Sequence, residues 1–222
     1  MTISLTEENY LKAIYSLSSS SVDEAISTNQ ISDKLNIKAA TVTDMLKRLS
    51  EKKLINYIPY RGVKLNEKGK QTAVKIIRKH RLWEVFLVEK LNFKWDEVHE
   101  IAEQLEHINS DELIIRLDKF LGKPRFDPHG DPIPDANGSL NVVKAIALNK
   151  HKTKNEFIFV GVTEHSKSFL QHLTAIGLKI GDTLKIEDIN DFDNSFKVKI
   201  NKHNTRFFSN KVAANILVDI KK

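Results

Sequence analysis

Residues 27–65, STNQISDKLNIKAATVTDMLKRLSEKKLINYIPYRGVKL, specify the N-terminal part of this 222-residue chain most clearly. Ser27 or Thr28 is a typical N-cap for a short helix that carries Ile31 and Leu35. After a turn at residues 36–38, a second helix places an apolar stripe inward, formed by Val42, Met45, Leu46 and Leu49. Two short helices joined by a tight turn predict a helix-turn-helix.

A basic hairpin is predicted directly after these helices. The runs 54–58 and 63–65 are β-like and flank Pro59-Tyr60-Arg61-Gly62. Eight basic and two acidic residues lie between Lys34 and Lys64. A helix-turn-helix with a wing favours DNA binding, with the second helix of the motif in the major groove. We predict DNA contacts from side chains that suit base edges or phosphates: Lys38, Ala40, Thr41, Thr43, Lys47, Arg48 and Arg61.

A second pattern, further along the chain, consists of metal-binding residue types at helical spacing. His99, Glu103, Glu106 and His107 fall within an arc of roughly 100° on a helix, apart from the apolar stripe around Ile101. His80 and Glu84 are four residues apart and share a face of another predicted helix. Imidazole and carboxylate groups together predict a divalent metal site.

The charge of residues 97–109 bears on whether they form a solvated helix face or a metal site. His and Glu on a helix usually form a solvated face, and that alternative stays open. However, no Lys or Arg occurs from Glu97 to Asn109, so the carboxylates have no neighbouring cation in the sequence. Crowded like charges are unfavourable unless they are protonated, hydrated or bound to a cation. We therefore favour a bound cation.

The composition limits the class of protein. A net charge of +6 permits a polyanionic partner, and 41% hydrophobic residues suffice for real cores. The chain has no cysteine, which excludes disulfides, thiolate metal sites and thiol nucleophiles, and is typical of a cytoplasmic protein. No apolar run of 18 residues and no N-terminal hydrophobic segment occur, so neither a membrane span nor a signal peptide is predicted.

Four parts are predicted along the chain, with an α+β fold overall. Residues 1–66 form the winged helix-turn-helix domain, with a first helix capped by Thr6. Residues 67–122 form a helical metal-binding and dimerisation domain, with helices to about Lys90, over Trp95–Ile108 and from Ser110 to Gly122. Residues 123–150, which hold four of the five prolines, are a linker and connecting segment. Residues 151–222 form a β-rich domain with four predicted strands.

Five segments of the chain match a known family: TEENYLKAIY, ATVTDMLKRL, RKHRLWEVFL, VHEIAEQLEHINSDE and DPHGDPIP. On these segments the chain resembles the metal-dependent bacterial repressors of the diphtheria-toxin-repressor and manganese-transport-regulator type. The resemblance implies a C-terminal SH3-like β-barrel. It also implies a homodimer that binds double-stranded operator DNA when loaded with Mn²⁺ or, alternatively, Fe²⁺, and represses metal-uptake genes.

The resemblance also implies two sets of metal ligands. The primary set is Glu103, Glu106 and His107, with a fourth ligand from the first helix at Asn9 or, alternatively, Glu8. The second set is His80, Glu84 and His99. The C-terminal domain of such proteins adds a ligand to the second set, and the matching position is His165 or, less well, Ser168.

Two other functions compete with this prediction. One is a two-metal hydrolase, since carboxylates and histidines also assemble such sites, although no separate nucleophile or oxyanion motif is visible. The other is a winged-helix regulator whose His and Glu residues are only a solvated face. We expect no enzymatic activity.

Overall fold

The computed structural model of the chain describes residues 3–18, 25–140, 144–152 and 155–220. It separates into two compact units. Unit 1 comprises Met1–His80, Glu103–Asp111 and Pro134–Leu140, and unit 2 comprises Arg81–Ala102, Glu112–Ile133 and Asn141–Lys222. The division passes through three helices, Glu67–Leu91, His99–Leu105 and Asp111–Phe120, so neither unit is a continuous segment of chain.

Unit 1 contains the predicted winged helix. Its elements are α1 (Leu5–Ser18), α2 (Thr28–Leu35), α3 (Ala39–Glu51), β1 (Ile55–Ile58) and β2 (Gly62–Leu65). Apolar residues from all five elements form one core, which includes Leu11, Ile31, Leu46, Ile55 and Val63. The strands pair antiparallel, with Ile55 opposite Leu65 and Ile58 opposite Gly62. The helix-turn-helix and the wing are thus present as the sequence predicts.

The helix ends of unit 1 follow from local hydrogen bonds. Ser27 caps α2, since its side chain accepts from the Gln30 amide while the Gln30 side chain accepts from the Ser27 amide. The prediction of Thr6 as the cap of α1 was wrong. Ser4 takes this role, because its side chain accepts from the Glu7 amide and its own amide donates to the Glu7 carboxylate.

Three helices follow the wing: α4 (Glu67–Leu91), α5 (His99–Leu105) and α6 (Asp111–Phe120). The prediction of a helix over Trp95–Ile108 was too long at both ends. Before α5, Asn92 has a positive φ and the Glu97 amide bonds to the Lys94 carbonyl, which makes a turn. After α5, the Ile108 amide donates to the Leu105 carbonyl, which forms a turn. Glu106 and His107 therefore lie in a turn and not on the helix.

The C-terminal part of unit 2 is built on one antiparallel sheet. Its six strands, in the order β3-β8-β4-β5-β6-β7, are β3 (Ile146–Ala147), β4 (Glu156–Val162), β5 (Thr183–Ile189), β6 (Phe196–Ile200), β7 (Asn204–Phe208) and β8 (Ile216–Ile220). Two short helices, α7 (Lys167–Ala175) and α8 (Asn210–Ala214), accompany the sheet. Its core includes Phe157, Phe159, Leu184, Val198 and Phe208. The four strands predicted from the sequence are present, whereas β3, β7 and both helices were not predicted.

The helical part of unit 2 has both buried and exposed apolar residues. Trp83 and Leu87 of α4 are buried, and the Phe86 ring packs against Phe120 with centroids 6.4 Å apart. Apolar side chains that remain exposed in this part are Leu91, Phe93, Leu113, Ile115 and Phe120. Among the described residues, no helix combines the length and apolar character needed to cross a membrane.

Candidate metal centres

The first candidate centre lies in unit 1 and joins α1 to the turn after α5. We call it the first cluster; its members are Glu8, Asn9, Lys12, His80, Glu103, Glu106 and His107. Glu106 is its centre, because its side chain is 0% exposed. His80 Nδ1 lies 2.5 Å from Glu106 Oε2, and Lys12 Nζ lies 2.8 Å from Glu106 Oε1. Residues far apart in sequence thus converge on one carboxylate.

The environment of Glu106 keeps this carboxyl group ionised. Burial by itself would raise the pKa of Glu106. The hydrogen bond with His80 and the charge of Lys12 outweigh burial, so the pKa is lowered below its ordinary value. An ionised, buried carboxylate is the form that binds a metal ion.

His107 is held in one orientation by the first helix. Its Nδ1–H donates to Glu8 Oε2 over 2.5 Å. This bond leaves Nε2 on the other side of the ring, 3.8 Å from Glu106 Oε1. Metal-binding histidines commonly donate their second N–H to a carboxylate in this way. The geometry therefore gives Glu8 the part of an orienting group and directs His107 Nε2 toward Glu106.

The donor atoms of the first cluster, including Asn9 Oδ1, determine whether the cluster suits a divalent ion. The Asn9 Oδ1 atom is buried and has no hydrogen-bond partner among the described residues. A buried acceptor without a partner is costly unless another group satisfies it. Asn9 follows Glu8, the residue that contacts His107, and its amide oxygen together with the carboxylates of Glu103 and Glu106 and the imidazole of His107 would make a mainly oxygen donor set suited to Mn²⁺ or Fe²⁺. The residues present fit such an ion.

Lys12 corrects one argument made from the sequence. The lack of Lys or Arg between Glu97 and Asn109 indicated carboxylates without a cation, and this was wrong in three dimensions. Lys12 Nζ lies 3.2 Å from Glu103 Oε1 and contacts both oxygens of Glu106, at 2.8 and 3.1 Å. The cation comes from α1, more than ninety residues earlier in the chain.

The second candidate centre lies in unit 2. We call it the second cluster; its members are Arg81, Glu84, His99, Asp127, His129, Asp131 and His165. Ligand atoms of Glu84, Asp127 and His129 all lie within 4.8 Å of one another, and the three residues are buried. His99 Nδ1 lies 3.6 Å from Glu84 Oε1. Glu84 and His99 are therefore brought together as predicted, and His80 lies one turn before Glu84 on the same helix.

A tight loop with the sequence DPHGDP positions two members of the second cluster. Asp127 Oδ1 accepts from the amides of His129 and Asp131, at 2.8 and 3.0 Å. Gly130 has φ +90°, and a Cβ there would lie 2.1 Å from the Val160 carbonyl oxygen of β4. Only glycine allows this close approach without strain. The loop thus fixes Asp127 and His129 against the sheet.

His129 is oriented by the main chain. Its Nε2–H donates to the Trp95 carbonyl over 2.8 Å, which leaves Nδ1 facing Glu84 Oε2 at 3.7 Å. Burial lowers the pKa of His129, but bonding to Glu84 and the charge of Asp127 raise it to about 9. Burial, Glu84 and Asp131 raise the pKa of Asp127 to about 7. Ion binding here would have to displace a proton.

The C-terminal domain contributes His165 to the second cluster. Its Nε2 lies 3.6 Å from Asp131 Oδ2, and its ring meets that of His129 edge to face with centroids 5.2 Å apart. His165 Nε2 is buried and makes no hydrogen bond among the described residues. Ser168, the weaker alternative, is exposed and contacts only Ser166 through its side chain among the contacts described.

Asp127 and His129 were missed as candidate ligands. The sequence contained a signal, since DPHGDP places two acids and a histidine around a glycine. The sequence alone predicts a Pro/Gly-rich linker here, because an isolated loop has no helical periodicity that relates it to Glu84. The contact with Glu84 exists only in the folded chain.

The predicted DNA contacts are mostly exposed on α3 and the wing. Lys38, Ala40, Thr41, Lys47, Arg48 and Arg61 are all exposed. Thr43 is half-buried, and its Oγ1–H donates to the Ala39 carbonyl over 3.1 Å. Tyr60, at the tip of the wing, is fully exposed with φ +65° and was not among the predicted contacts.

Known proteins share this order of winged helix, helical ligand segment and β domain. Three family profiles match in succession. They are "Iron dependent repressor, N-terminal DNA binding domain" over residues 2–63, "Iron dependent repressor, metal binding and dimerisation domain" over 66–135, and "FeoA domain" over 146–220. The chain belongs to the iron-dependent repressor family, which includes the diphtheria toxin repressors.

Individual relatives agree with this assignment. The iron-dependent repressor IdeR of Mycobacterium tuberculosis is 36% identical over 129 residues, which are 58% of this chain and 55% of IdeR. The chain thus spans about half the length of the curated repressors it matches. A manganese-dependent transcriptional repressor in complex with manganese superposes with a TM-score of 0.87 at 30% identity, covering 97% of this chain and 100% of that one. The manganese regulator SloR gives 0.77 at 35% identity, with full coverage of both.

Proposed function

We propose that this protein is a homodimeric transcriptional repressor that binds operator DNA when loaded with Mn²⁺, or alternatively Fe²⁺, and controls metal-uptake genes. One observation carries the proposal. The His107–Glu8 hydrogen bond and the Lys12 contacts join the ligand segment to α1, the first helix of the winged-helix domain. A change at the ligands therefore acts directly on the DNA-binding domain.

The residues of the first cluster account for coupling between metal and DNA. Glu103, Glu106, His107 and Asn9 would hold the ion, while Glu8 orients His107. A bound divalent ion supplies positive charge that draws these ligands together. Because Asn9 and Glu8 belong to α1, ordering the ligands restrains the winged helix in one position. DNA affinity rises only by the difference in ion affinity between the competent and other states.

The second cluster is proposed as a further metal site, with Glu84, His99, Asp127, His129 and His165 as its ligand candidates. His80, which the sequence predicted for this set, contacts Glu106 of the first cluster. Its donors are again oxygen and imidazole. Both clusters therefore suit Mn²⁺ and Fe²⁺ better than ions that prefer thiolate. We prefer Mn²⁺ as the activating ion because oxygen donors outnumber imidazoles in the first cluster.

The proposed dimer rests on the exposed apolar residues of unit 2. Leu91, Ile115 and Phe120 are each more than half exposed, although apolar side chains of this size are usually buried. A matching surface on a second copy would cover them. A protein that acts on operator DNA works in the compartment of the chromosome, so we place it in the cytoplasm. We propose no catalytic role, and a metal-dependent turnover assay tests the hydrolase alternative.

The decisive experiment measures binding to DNA from upstream of genes in the genome that encodes the protein. Binding is measured first with chelator and then with added Mn²⁺ or Fe²⁺ under anaerobic conditions. We expect metal-dependent binding to specific sites. Binding that is equal with chelator and with metal would contradict the proposal. It would support a winged-helix regulator whose His and Glu residues serve another purpose.

The DNA surface makes a separate prediction. Changing Lys47, Arg48 or Arg61 to Ala should weaken binding to all sequences and reduce the salt dependence by about one charge for each change, because each is proposed to neutralise a phosphate. Thr43→Ala should reduce binding to operator sites only. Equal losses for Thr43→Ala on operator and random DNA would contradict the placement of α3 in the major groove.

A further inference from the structure

Lys12 places a positive charge at the carboxylates of the first cluster. Its Nζ contacts both oxygens of Glu106, at 2.8 and 3.1 Å, and Glu103 Oε1 at 3.2 Å. These three oxygens belong to two of the residues proposed as metal ligands. A lysine ammonium only donates hydrogen bonds, so at this position it acts as a compact cation.

We infer that Lys12 competes with the divalent ion for Glu103 and Glu106, and that it thereby sets the metal concentration at which the protein responds. The inference rests on the proposed function and identifies the residue that sets its threshold. Two cations at the same carboxylates repel each other. Metal binding therefore requires Lys12 Nζ to leave, and the flexible four-carbon stem of a lysine that is already 20% exposed permits this movement.

The tethered ammonium also has a consequence for selectivity. Because Lys12 is attached to α1, its effective concentration at the cluster is high and does not depend on the surrounding solution. Monovalent ions and weakly held divalent ions then compete with a permanent internal cation. An ion that binds the carboxylates strongly displaces the cation and leaves α1 linked to the ligand segment through Glu8 and Asn9.

A second ion pair on α1 provides a matched control. Lys52 Nζ lies 2.7 Å from a Glu7 carboxylate oxygen, and the two side chains are 25% and 7% exposed. The Lys12–Glu106 pair is similar, with side chains 20% and 0% exposed. Both pairs join α1 to a distant segment, but neither Lys52 nor Glu7 belongs to the first cluster. Lys52→Met therefore removes a comparable ion pair without touching the proposed ligands.

The test compares metal binding by full-length wild type, Lys12→Met, Lys12→Arg and Lys52→Met. Each protein is stripped with chelator, and Mn²⁺ binding is measured at pH 8 by competition with a fluorescent chelator. We expect Lys12→Met to lower the Kd of the first cluster about tenfold, the equivalent of one charge-assisted hydrogen bond. Lys12→Arg and Lys52→Met should stay close to wild type. An unchanged or higher Kd in Lys12→Met would overturn the inference.

An independent measurement uses the wild-type protein and does not depend on how a variant folds. Lysine acetylation is followed by mass spectrometry with and without Mn²⁺. The reactivity of Lys12 should rise when Mn²⁺ is added, while that of Lys52 stays constant. A Lys12 reactivity that is unchanged or lower at saturating Mn²⁺ would also overturn the inference.

Glu106→Ala separates failure of this inference from failure of the proposed function. If wild type binds Mn²⁺ and Glu106→Ala loses one site, the first cluster is a metal site and the Lys12 variants test the competition. If Glu106→Ala binds as much Mn²⁺ as wild type, with the same affinities, both the proposed site and the role of Lys12 are wrong.

Discussion

Glu106 and Asp127 are both buried carboxyl residues at the centre of a cluster, yet their pKa values move in opposite directions. Burial would raise both. In the first cluster the His80 hydrogen bond and the Lys12 charge outweigh burial, and the pKa of Glu106 falls. In the second cluster burial, Glu84 and Asp131 raise the pKa of Asp127 to about 7, and Arg81 at 3.6 Å offsets only part of this. The charges nearest each buried carboxyl group thus determine whether its pKa is lowered or raised.

One histidine of each cluster, His107 and His129, shows a related difference. His107 is oriented by a side chain, Glu8, whereas His129 is oriented by a main-chain carbonyl, that of Trp95. Mutation can therefore remove the orienting group of the first cluster but not that of the second. The first cluster includes residues of α1, a helix of the winged-helix domain, whereas the second is held by a tight loop against a sheet. This difference fits a regulatory role for the first and a structural or tuning role for the second.

Glu106→Ala should have the largest effect. Its loss removes the buried carboxylate that His80 and Lys12 both contact, so the free energy of unfolding in chelator should fall by about 3 kcal/mol. Metal-dependent DNA binding should be lost. Denaturant unfolding and DNA-binding titrations measure the two effects, and Glu103→Ala, whose side chain is 44% exposed, is the control for the unfolding measurement only. Retained metal-dependent DNA binding in Glu106→Ala would show that the first cluster does not couple metal to DNA.

His129→Ala should weaken metal binding at one site and leave the other unchanged. The expected loss is at least about tenfold in affinity, because losing a ligand should cost no less than losing a group that orients one. Mn²⁺ stoichiometry and affinity measure it, with His151→Ala as a histidine control outside both clusters. A comparable loss at both sites would mean that the clusters are not independent.

The pH dependence of stability should have opposite signs in the two clusters of chelator-treated protein. The contribution of Glu106 is present above its ordinary pKa and is lost as pH falls through its lowered value. The contribution of His129 is complete below its ordinary pKa of 6.5 and is lost as pH rises through about 9. The unfavourable ionisation of Asp127 adds to this loss between its ordinary 3.8 and about 7.

Asp127→Asn separates the contribution of Asp127 to the pH dependence of stability from that of His129. The variant should reduce the loss of stability between pH 4 and pH 7, because an amide is neutral in both folded and unfolded states. Denaturant unfolding at a series of pH values measures the change. A wild-type and a variant profile that coincide over this range would contradict the raised pKa of Asp127.

His165→Ala should have the smallest effect. The side chain is about one-third exposed and lies beside Asp131 and His129, so its loss should weaken metal binding by less than about tenfold. The same Mn²⁺ titration as for His129→Ala measures it. A loss as large as that of His129→Ala would make His165 an indispensable ligand and show that the C-terminal domain completes the second cluster.

Local sequence patterns predicted the elements of the winged helix because each signal lies within a few residues. Ser27 and Gln30 form a capping box, and the stripe through Val42, Leu46 and Leu49 makes α3 amphipathic. The helical spacing of His and Glu residues likewise identified Glu84 and Glu106 as candidate ligands, although Glu106 lies in the turn after α5. The strand β7 was missed, since Asn204–Phe208 has a mixed polar pattern and pairs through the neighbouring β6. Its formation depends on a partner strand as much as on its own residues.

The sequence by itself determined which residue types were available for metal binding and that residues 27–65 form a helix-turn-helix and a wing. Only the tertiary structure decided their partners. It brought Lys12 to Glu106 across ninety-four positions, and it placed the DPHGDP loop so that His129 faces Glu84. Periodicity reports which side of an element is apolar, but it contains no information on which distant charge meets that side. Long-range packing sets those distances, and with them the charge of each cluster.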